Sequence, residues 1–248
     1  TDEPGAARRA TFNGLLLALL IGVTLTAVVY FGADAIVSVL VSDPTVAPLA
    51  ATYLATVVFG LPFASMSDTL EGGFVGWGDS RAALYVNATA VVVNIGLDPF
   101  LIFGWGPFRS MGIQGAALAT AIGYAAGFAL AFALAVGTRE SLTLGRDDVA
   151  VDLDEIRELL DVGAPTTGQG LASQSVRLVI VAIVSVIGGA AGLAAYTVGA
   201  RVAAVAFIPA QGLQQAAQSV IGQNIGAERP DRAHRGTWTA VAVAVGAL

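Results

Sequence analysis

The sequence predicts an all-α polytopic membrane protein, and three observations carry this prediction. Only 12% of the 248 residues are charged, against about 25% in soluble domains. The mean hydropathy is +0.76, and several apolar runs reach the roughly 20 residues that a helix needs to cross a bilayer. These runs are apolar on all sides, whereas the strands of a membrane barrel alternate apolar with polar residues.

Six complete spans and a truncated seventh are predicted, and Ala, Leu, Val and Gly dominate them. They lie at residues 12–33, 47–75, 83–104, 112–136, 163–187 and 190–220, and from 238 to the end. The 30 glycines suit close helix contacts in lipid, where packing replaces the hydrophobic effect. Because the sequence begins without Met and ends within an apolar run, we expect an internal fragment of a longer, multi-pass protein of the cell membrane.

The arginines predict the sidedness of these spans. If the residues before the first span are cytoplasmic, the cytoplasmic loops hold nine arginines and the opposite loops hold Arg109 alone, which is a strong positive-inside pattern. A polar stretch at 138–162 interrupts the spans, and its apolar residues recur at near-helical spacing. We expect a cytoplasmic linker there, with an amphipathic surface helix, between membrane bundles at 1–137 and 163–248.

A short internal repeat points to two similar halves. Residues 4–12 can be laid over residues 230–238 at an offset of 226, where Pro, Ala, Arg and Thr coincide and an aromatic residue follows. Chance is the alternative for a match this short. If the repeat is real, the intact protein has two halves of about six helices each, as many secondary transporters do.

Composition excludes several kinds of site. The sequence has no Cys and a single His, His234, so it offers no disulfide, no Cys-based zinc site, no iron–sulfur cluster and no thiol nucleophile. The basic residues are all Arg and are scattered, and the net charge is −6. We therefore expect no nucleic-acid partner.

The third span carries the sharpest polar constellation. Asn87, Asn94 and Asp98 fall on one helix face, and Pro99 follows them. A carboxylate near mid-span costs about 2.5–3.5 kcal/mol on insertion scales, so it should face protein or a watery cavity. Pro99 frees a backbone carbonyl one turn earlier, and an oxygen beside a carboxylate suits a Na⁺ ligand set or a protonation site. The alternative is that Asp98 only bonds a neighbouring helix.

Two further pairs are candidates for a cavity lining in the first half. Thr120 and Tyr124 share a face of the fourth span. Thr120 either adds an oxygen to the polar cluster or bonds the carbonyl four residues earlier in its own helix. Asp68 and Glu71 form an acidic pair in the second span. They are either proton carriers that line the inner vestibule or interfacial, solvated groups.

The fifth span suggests a polar lining in the second half of the chain. Its candidates are Gln169, Gln174 and Arg177. A buried, unpaired arginine is very costly in lipid, so Arg177 should pair with an acid across the bundle or border a cavity. Arg201, in the sixth span, is able to snorkel to the interface and receives no role.

One short motif suggests an enzyme instead. Gly76-Trp77-Gly78-Asp79 matches the Gly-x-Gly-Asp signature of intramembrane aspartyl proteases. Those enzymes need a second Asp in an earlier helix, typically after Tyr, and no Tyr-Asp pair occurs here. Asp79 is also placed in a predicted cytoplasmic turn. An intramembrane aspartyl protease is therefore only a third hypothesis for the function.

Six stretches together resemble the multidrug and toxic compound extrusion (MATE) family. They are GWGDSR at 76–81, NIGLDPFLIFG at 94–104, GIQGAALAT at 112–120, GAP at 163–165, LAAY at 193–196 and GQNIGA at 222–227. Their order and spacing agree with the family over essentially the whole chain. The resemblance implies a two-lobe bundle of twelve helices around a central cleft, of which this chain would hold the third helix to the start of the ninth.

The resemblance also implies a coupling site. In the archaeal and DinF-like branch, an acidic site inside the N-terminal lobe binds Na⁺ or H⁺. Asn94 and Asp98 match its Asn and Asp, Thr120 matches a Thr of the sixth helix, and a further Asp belongs to the first helix, outside this chain. The NorM-like branch uses an acid in the seventh helix, and the span at 163–187 has none. The other candidates match no family position.

We therefore expect a secondary active antiporter that exports amphiphilic or cationic compounds against Na⁺ or H⁺, with no enzymatic activity and no cofactor besides the coupling ion. Its partners would be small-molecule substrates and the lipid bilayer, and we expect a monomer. An alternative is a flippase of the same superfamily that moves a lipid-linked substrate. Such flippases carry several arginines facing the cleft, and here only Arg177 and Arg201 are candidates.

Overall fold

The computed structural model describes residues 4–40, 43–137, 145 and 150–247, and these residues form helices and no strand. The helices are α1 (Pro4–Leu40), α2 (Ala47–Val57), α3 (Leu61–Gly76), α4 (Ser80–Phe103), α5 (Ile113–Val136), α6 (Leu153–Gly226) and α7 (Pro230–Ala247), with a 3₁₀ turn at Val58–Gly60. Within the described residues, five helical segments are long and apolar enough to cross a membrane. The all-α prediction is confirmed.

The helices extend beyond the predicted spans. α1 is 37 residues long, whereas about 20 are enough to cross the hydrocarbon core. α6 runs through both the fifth and the sixth predicted spans, and Gly189, with φ 56° and ψ −154°, breaks the helix between them. Beyond this break, the apolar stretch of α6 is Ala194–Val205.

The chain divides into two compact units, residues 2–156 and residues 157–248. The boundary falls within the linker predicted at 138–162, of which residues 138–144 and 146–149 lie outside the described residues. The amphipathic helix predicted in this linker is not a separate element, because its residues form the first turns of α6. Asp152 caps that helix, since its carboxylate accepts hydrogen bonds from the N–H groups of Asp154 (2.9 Å) and Glu155 (3.3 Å).

Pro62 explains why the second predicted span is built from two helices. Proline has no N–H, so the carbonyl of Val58, four residues earlier, loses its α-helical partner. The backbone N–H of Leu61 and the hydroxyl of Thr26 on α1 replace it, and the Thr26 Oγ1 donates at 2.9 Å. A Cβ placed on Gly22 would lie 2.7 Å from the Pro62 Cα. The close contact between α1 and α3 therefore stabilises the 3₁₀ turn between α2 and α3.

The loop between α4 and α5 folds back and caps α4. Gly104 ends α4 in the left-handed conformation, with φ 76°. The N–H groups of Met111 and Gly112 then donate to the carbonyls of Leu101 and Ile102 at 2.9 and 3.2 Å. A helix end leaves such carbonyls without partners. The loop thus satisfies the end of α4 and brings the start of α5 against it.

An apolar cluster joins four helices of the first unit. Leu70 and Phe74 of α3 and Val86 of α4 are at most 1% exposed. The rest of the cluster comes from α1, α4 and α5, namely Leu15, Ala82, Ala131 and Ala135. Because the cluster includes residues on both sides of the α3–α4 turn, it fixes α3, α4 and α5 against one another at that end.

Two turns between helices share the Schellman geometry. The N–H groups of Gly78 and Asp79 close the turn after α3 at 3.0 and 2.8 Å, and those of Glu228 and Arg229 close the turn after α6 at the same distances. Each turn contains a left-handed residue, Gly78 with φ 83° in the first and Glu228 with φ 55° in the second. Among the described residues, Glu228 alone combines a side chain with a positive φ.

We expect Glu228→Gly to stabilise the protein by about 1 kcal/mol, because a Cβ in the left-handed conformation costs about that much and glycine lacks it. The melting temperature of the intact protein in detergent should rise by about 1 °C. Gly78→Glu should lower it, and Glu228→Gln, which keeps the Cβ and removes the charge, should leave it unchanged. A melting temperature that Glu228→Gly does not raise would contradict the assigned strain.

Candidate functional site

A cavity of about 310 Å³ lies between α3, α4 and α5 in the first unit. It collects polar side chains that the sequence predicted as separate groups. Its lining consists of Ala64, Ser67, Asp68, Glu71, Asn87, Ala90, Val91, Asn94, Thr120 and Tyr124. The cavity therefore lies between three of the helical segments that are long and apolar enough to cross a membrane, Ala47–Gly76, Ser80–Phe103 and Ile113–Val136.

Helical spacing brings these side chains to the cavity. On α3 the lining residues recur every three to four positions, from Ala64 through Ser67 to Glu71, and on α4 they recur from Asn87 through Ala90 to Asn94. Residues three or four apart lie on one helix face. Each helix thus presents one polar stripe to the same space.

The Glu71 carboxylate is held by side chains from two helices. Its Oε1 accepts a hydrogen bond from the Ser67 Oγ at 3.2 Å, within α3. Its Oε2 accepts a hydrogen bond from the Asn87 Nδ2 of α4. Asn87 also donates to the Ala83 carbonyl of its own helix, at 3.3 Å. Glu71 is therefore fixed in orientation by one donor on each side.

Asp68 lines the same cavity with no such support. Its side chain is exposed, and among the described residues it has neither a hydrogen-bond partner nor an ion pair. No arginine belongs to the described lining, so neither Asp68 nor Glu71 meets a positive charge there. The cavity is thus an acidic one.

Asn94 and Thr120 connect α4 to α5 at the cavity. The Asn94 Nδ2 donates to the Thr120 Oγ1 at 3.2 Å, and the Thr120 hydroxyl donates to the Ala116 carbonyl at 3.0 Å. Thr120 therefore bonds both the carbonyl of its own helix and the Asn94 amide, and its role in a coupling site stays a prediction. Each residue keeps oxygen lone pairs that are available to a cation or to water.

Asp98 does not line the cavity. It lies one helical turn beyond Asn94 on α4, is half-buried, and has no polar partner among the described residues. α4 continues through Pro99 as a helix to Phe103. Within the described chain, no three His, Cys, Asp or Glu side chains converge as a metal site would require. A coupling site at Asp98 would depend on this one carboxylate and neutral oxygen ligands.

The candidates of the second half lie in the other unit. Gln169, Gln174 and Arg177 are on α6, are exposed, and are not among the residues that line the cavity. Within the described residues, Arg177 forms no ion pair with an acid. The role predicted for these residues stays a prediction.

The Gly-x-Gly-Asp motif has a structural role. Gly78 supplies the left-handed residue of the turn between α3 and α4. Asp79 then caps α4, since its Oδ1 accepts a hydrogen bond from the Ala82 N–H at 3.1 Å. A turn followed by an N-cap accounts for this spacing without protease chemistry.

The sequence missed two polar contacts of the first unit. One is the bond between Glu71 and Asn87, which were predicted as members of separate groups in separate spans. The other involves Asn13, which is 0% exposed and bonds residues 150–155. The signal for Asn13 is a single amide near the start of an apolar span. In both contacts the bonded residues are far apart in sequence, so helical periodicity gives no indication of either contact.

Comparison with known proteins assigns the chain to a family. A family model described as MatE matches residues 2–100 and 165–248. The FAD transporter of Shewanella oneidensis is 29% identical over 225 residues, which cover 89% of this chain and 49% of that protein. The probable multidrug resistance protein NorM of Mesorhizobium japonicum is 30% identical, over 96% of this chain and 51% of that protein. The chain thus spans about half the length of these relatives.

Solved structures share the fold. A MOP superfamily transporter from Pyrococcus furiosus superposes with a TM-score of 0.88 at 23% identity, over 99% of this chain and 54% of that structure. A multidrug resistance MATE family transporter in an outward-facing conformation gives a TM-score of 0.85 at 21% identity, over 98% of this chain and 56% of that structure. With the family match covering most of the sequence, the chain belongs to the MatE family of multi-pass membrane transporters, which are not enzymes.

Proposed function

We propose that the intact protein is a secondary active exporter that moves amphiphilic or cationic compounds against an inward flow of Na⁺ or H⁺. The observation that carries this proposal is the cavity between α3, α4 and α5, whose described lining contains two carboxylates and no arginine and belongs to segments long and apolar enough to cross a membrane. Ionisable residues at such depth are costly and mark ion or substrate pathways. An acidic lining favours positively charged occupants.

In this proposal Asp98 is the coupling carboxylate, and Asn94 and Thr120 are its neutral partners. Asn94 lies between Asp98 and the cavity along α4, and it is joined to Thr120 of α5. Uptake of an ion at Asp98 changes the charge at this end of the α4–α5 pair. The change would shift the balance between outward-open and inward-open states and release the substrate.

The coupling ion is either Na⁺ or H⁺. A proton needs only the Asp98 carboxylate. Na⁺, as a transported ion, needs several oxygen ligands. Asp98 offers a carboxylate, Asn94 an amide carbonyl and Thr120 a hydroxyl. Imposing Na⁺ and pH gradients separately on proteoliposomes distinguishes the two ions.

A second candidate is export of a flavin dinucleotide, because one relative is an FAD transporter. The acidic cavity weighs against it, since a pyrophosphate is negatively charged and meets no described arginine there. The same reasoning weighs against a flippase for lipid phosphates. Loading proteoliposomes with FAD and with a cationic dye in parallel decides between these candidates.

Asp98→Asn in the intact transporter should abolish ion-driven efflux of ethidium from proteoliposomes, because asparagine can neither take up a proton nor neutralise a cation. We expect the rate to fall to the passive leak. Asp34→Asn, which changes an exposed carboxylate of α1, should transport at the wild-type rate. Gradient-driven efflux that persists in Asp98→Asn would show that Asp98 is not the coupling residue.

A further inference from the structure

We infer that Glu71 is a preset recognition group for the positive charge of the substrate, a role separate from the coupling role of Asp98. The inference rests on the proposed function and deepens it, because it names the residue that reads the substrate and the chemical class that it reads. It depends on the position of Glu71 in the cavity, on its two hydrogen bonds, and on the residues around it.

The first step is the fixed geometry of the carboxylate. Ser67 and Asn87 each occupy one oxygen of Glu71, and they come from different helices. A carboxylate oxygen has two lone-pair directions, so each oxygen can still face a cation in the cavity. A charged group that its neighbours already hold in place loses little freedom when a ligand binds. Asp68 lacks such support among the described residues.

The second step is the charge balance of the cavity. Asp68 and Glu71 lie three residues apart on one helix, where like charges repel each other. The described lining contains no arginine that would offset them. An entering cation is therefore favoured by both carboxylates, and an anion is opposed by both.

The third step is the apolar part of the lining, which favours an organic cation over a bare ion. Tyr124 presents an aromatic ring that is 40% exposed, and an ammonium group over such a ring gains cation–π attraction. Ala64, Ala90 and Val91 supply an apolar wall. A volume of about 310 Å³ is at the lower end for ligand pockets. The fitting class is a small, aromatic or alkyl-substituted quaternary or protonated amine.

Equilibrium binding to the intact transporter in detergent tests this inference without any ion gradient. Ethidium, a permanent aromatic cation, is the probe, and Nile red, a neutral dye, reports on general apolar binding. Glu71→Gln should weaken ethidium binding by about thirtyfold or more, as for a partly buried charge pair that loses one partner. Glu71→Asp should recover part of the loss. Asp34→Asn, which changes an exposed carboxylate of α1 that does not line the cavity, should leave ethidium affinity unchanged.

Two matched variants separate recognition from structure. Asp68→Asn removes an equal charge from the same cavity and should weaken ethidium binding less than Glu71→Gln does. Asn87→Ala removes one of the two donors to Glu71 and should give an intermediate loss. Nile red affinity and melting temperature should stay at wild-type values in Glu71→Gln, because glutamine has the same size and also accepts hydrogen bonds.

Several results would overturn the assignment to Glu71. These are an absence of ethidium binding to the wild type, an ethidium affinity in Glu71→Gln within twofold of wild type, a parallel loss of Nile red binding, and a larger effect of Asp68→Asn. The proposed function fails separately, if ethidium binds in a Glu71-dependent way but no Na⁺ or pH gradient drives its export.

Discussion

Gly123→Leu in α5 is expected to prevent α4 and α5 from packing against each other. Because both helices line the cavity, the cavity would then not form. A Cβ on Gly123 would lie 2.7 Å from the Ala90 carbonyl oxygen and 3.1 Å from the Asn94 Cβ. Backbone atoms cannot rotate away, so the two helices would have to separate. The Asn94–Thr120 bond spans the same contact and would break with it.

The contact belongs to a stripe of small residues on α5. Gly115, Ala119, Gly123, Gly127, Ala131 and Ala135 recur every four residues, and all are buried. Small residues at this spacing let membrane helices approach closely, and the close approach replaces the hydrophobic effect that lipid cannot supply. Gly115 is the tightest position, since a Cβ there would lie 2.3 Å from the Leu101 carbonyl oxygen. Gly115→Ala should therefore already be disruptive.

We expect Gly115→Ala and Gly123→Ala each to cost about 1–3 kcal/mol of stability, as overpacking does, and Gly123→Leu to leave little folded protein. The measurement is the melting temperature and the monodisperse yield of the intact transporter in detergent. Gly72→Ala and Gly96→Ala are matched controls, because a Cβ at either glycine meets nothing within 4 Å. Equal melting temperatures for all four alanine variants would refute the close packing of α4 and α5.

Much of the fold follows from the apolar runs, and what the sequence misses has local causes. The runs locate α1 to α5 because lipid requires about 20 apolar residues per crossing. They do not locate helix ends, since a helix can continue into water, as α1 does from Pro4. The 3₁₀ turn at Val58–Gly60 has a visible signal in the sequence, namely Pro62. The break at Gly189 also has a signal, because the predicted spans at 163–187 and 190–220 leave two adjacent glycines, Gly188 and Gly189, between them.

The site was predictable within each helix but not between helices. Spacing alone places Asn87 and Asn94 on one face of α4, and both line the cavity. Spacing does not say which face of α3 meets that face, so Glu71 and Asn87 were not paired in advance. The same limit applies to Asp98, whose prediction as the coupling residue depends on the family resemblance and on helices outside this chain.

Asn13→Asp is expected to have the second large effect, because Asn13 completes the cap of α6 from another helix. In an ordinary capping box the carboxylate at the fourth position bonds the N–H of the cap residue directly. In this protein Asn13 lies between the N–H of the cap residue, Asp152, and the carboxylate of Glu155, and it bonds both. Its Oδ1 accepts from the Asp152 N–H at 3.1 Å, and its Nδ2 donates to the Glu155 Oε2 at 2.6 Å. The same Nδ2 also lies 3.0 Å from the Arg9 carbonyl and 3.1 Å from the Ala150 carbonyl.

Aspartate has the size of asparagine and lacks its donors, so the variant isolates the hydrogen bonds. It places a carboxylate against Glu155 and removes the donor to the carbonyl of the exposed Ala150, whereas the Arg9 carbonyl keeps the helical N–H of residue 13. Because the buried side chain at residue 13 would lose its donors and carry a charge beside another carboxylate, we expect a loss of about 3 kcal/mol or more. Hydrogen exchange should accelerate at residues 150–156, which lead into the second unit. Thr11→Ala is the control, because the Thr11 hydroxyl bonds Ala7 of its own helix and no other group among the described residues.

A compensating change decides whether the Asn13–Glu155 bond itself carries this effect. Glu155→Gln, combined with Asn13→Asp, reverses the donor and the acceptor, so that the glutamine amide donates to the aspartate. The double variant should regain part of the stability and of the protection from exchange. Glu155→Gln alone should lower the stability of the protein, because in one of the glutamine rotamers its NH₂ group faces the NH₂ group of Asn13. Independent effects of the two changes would add. Additive losses would therefore mean that the Asn13–Glu155 bond carries none of the effect, and that Asn13 acts through its other contacts with residues 150–152.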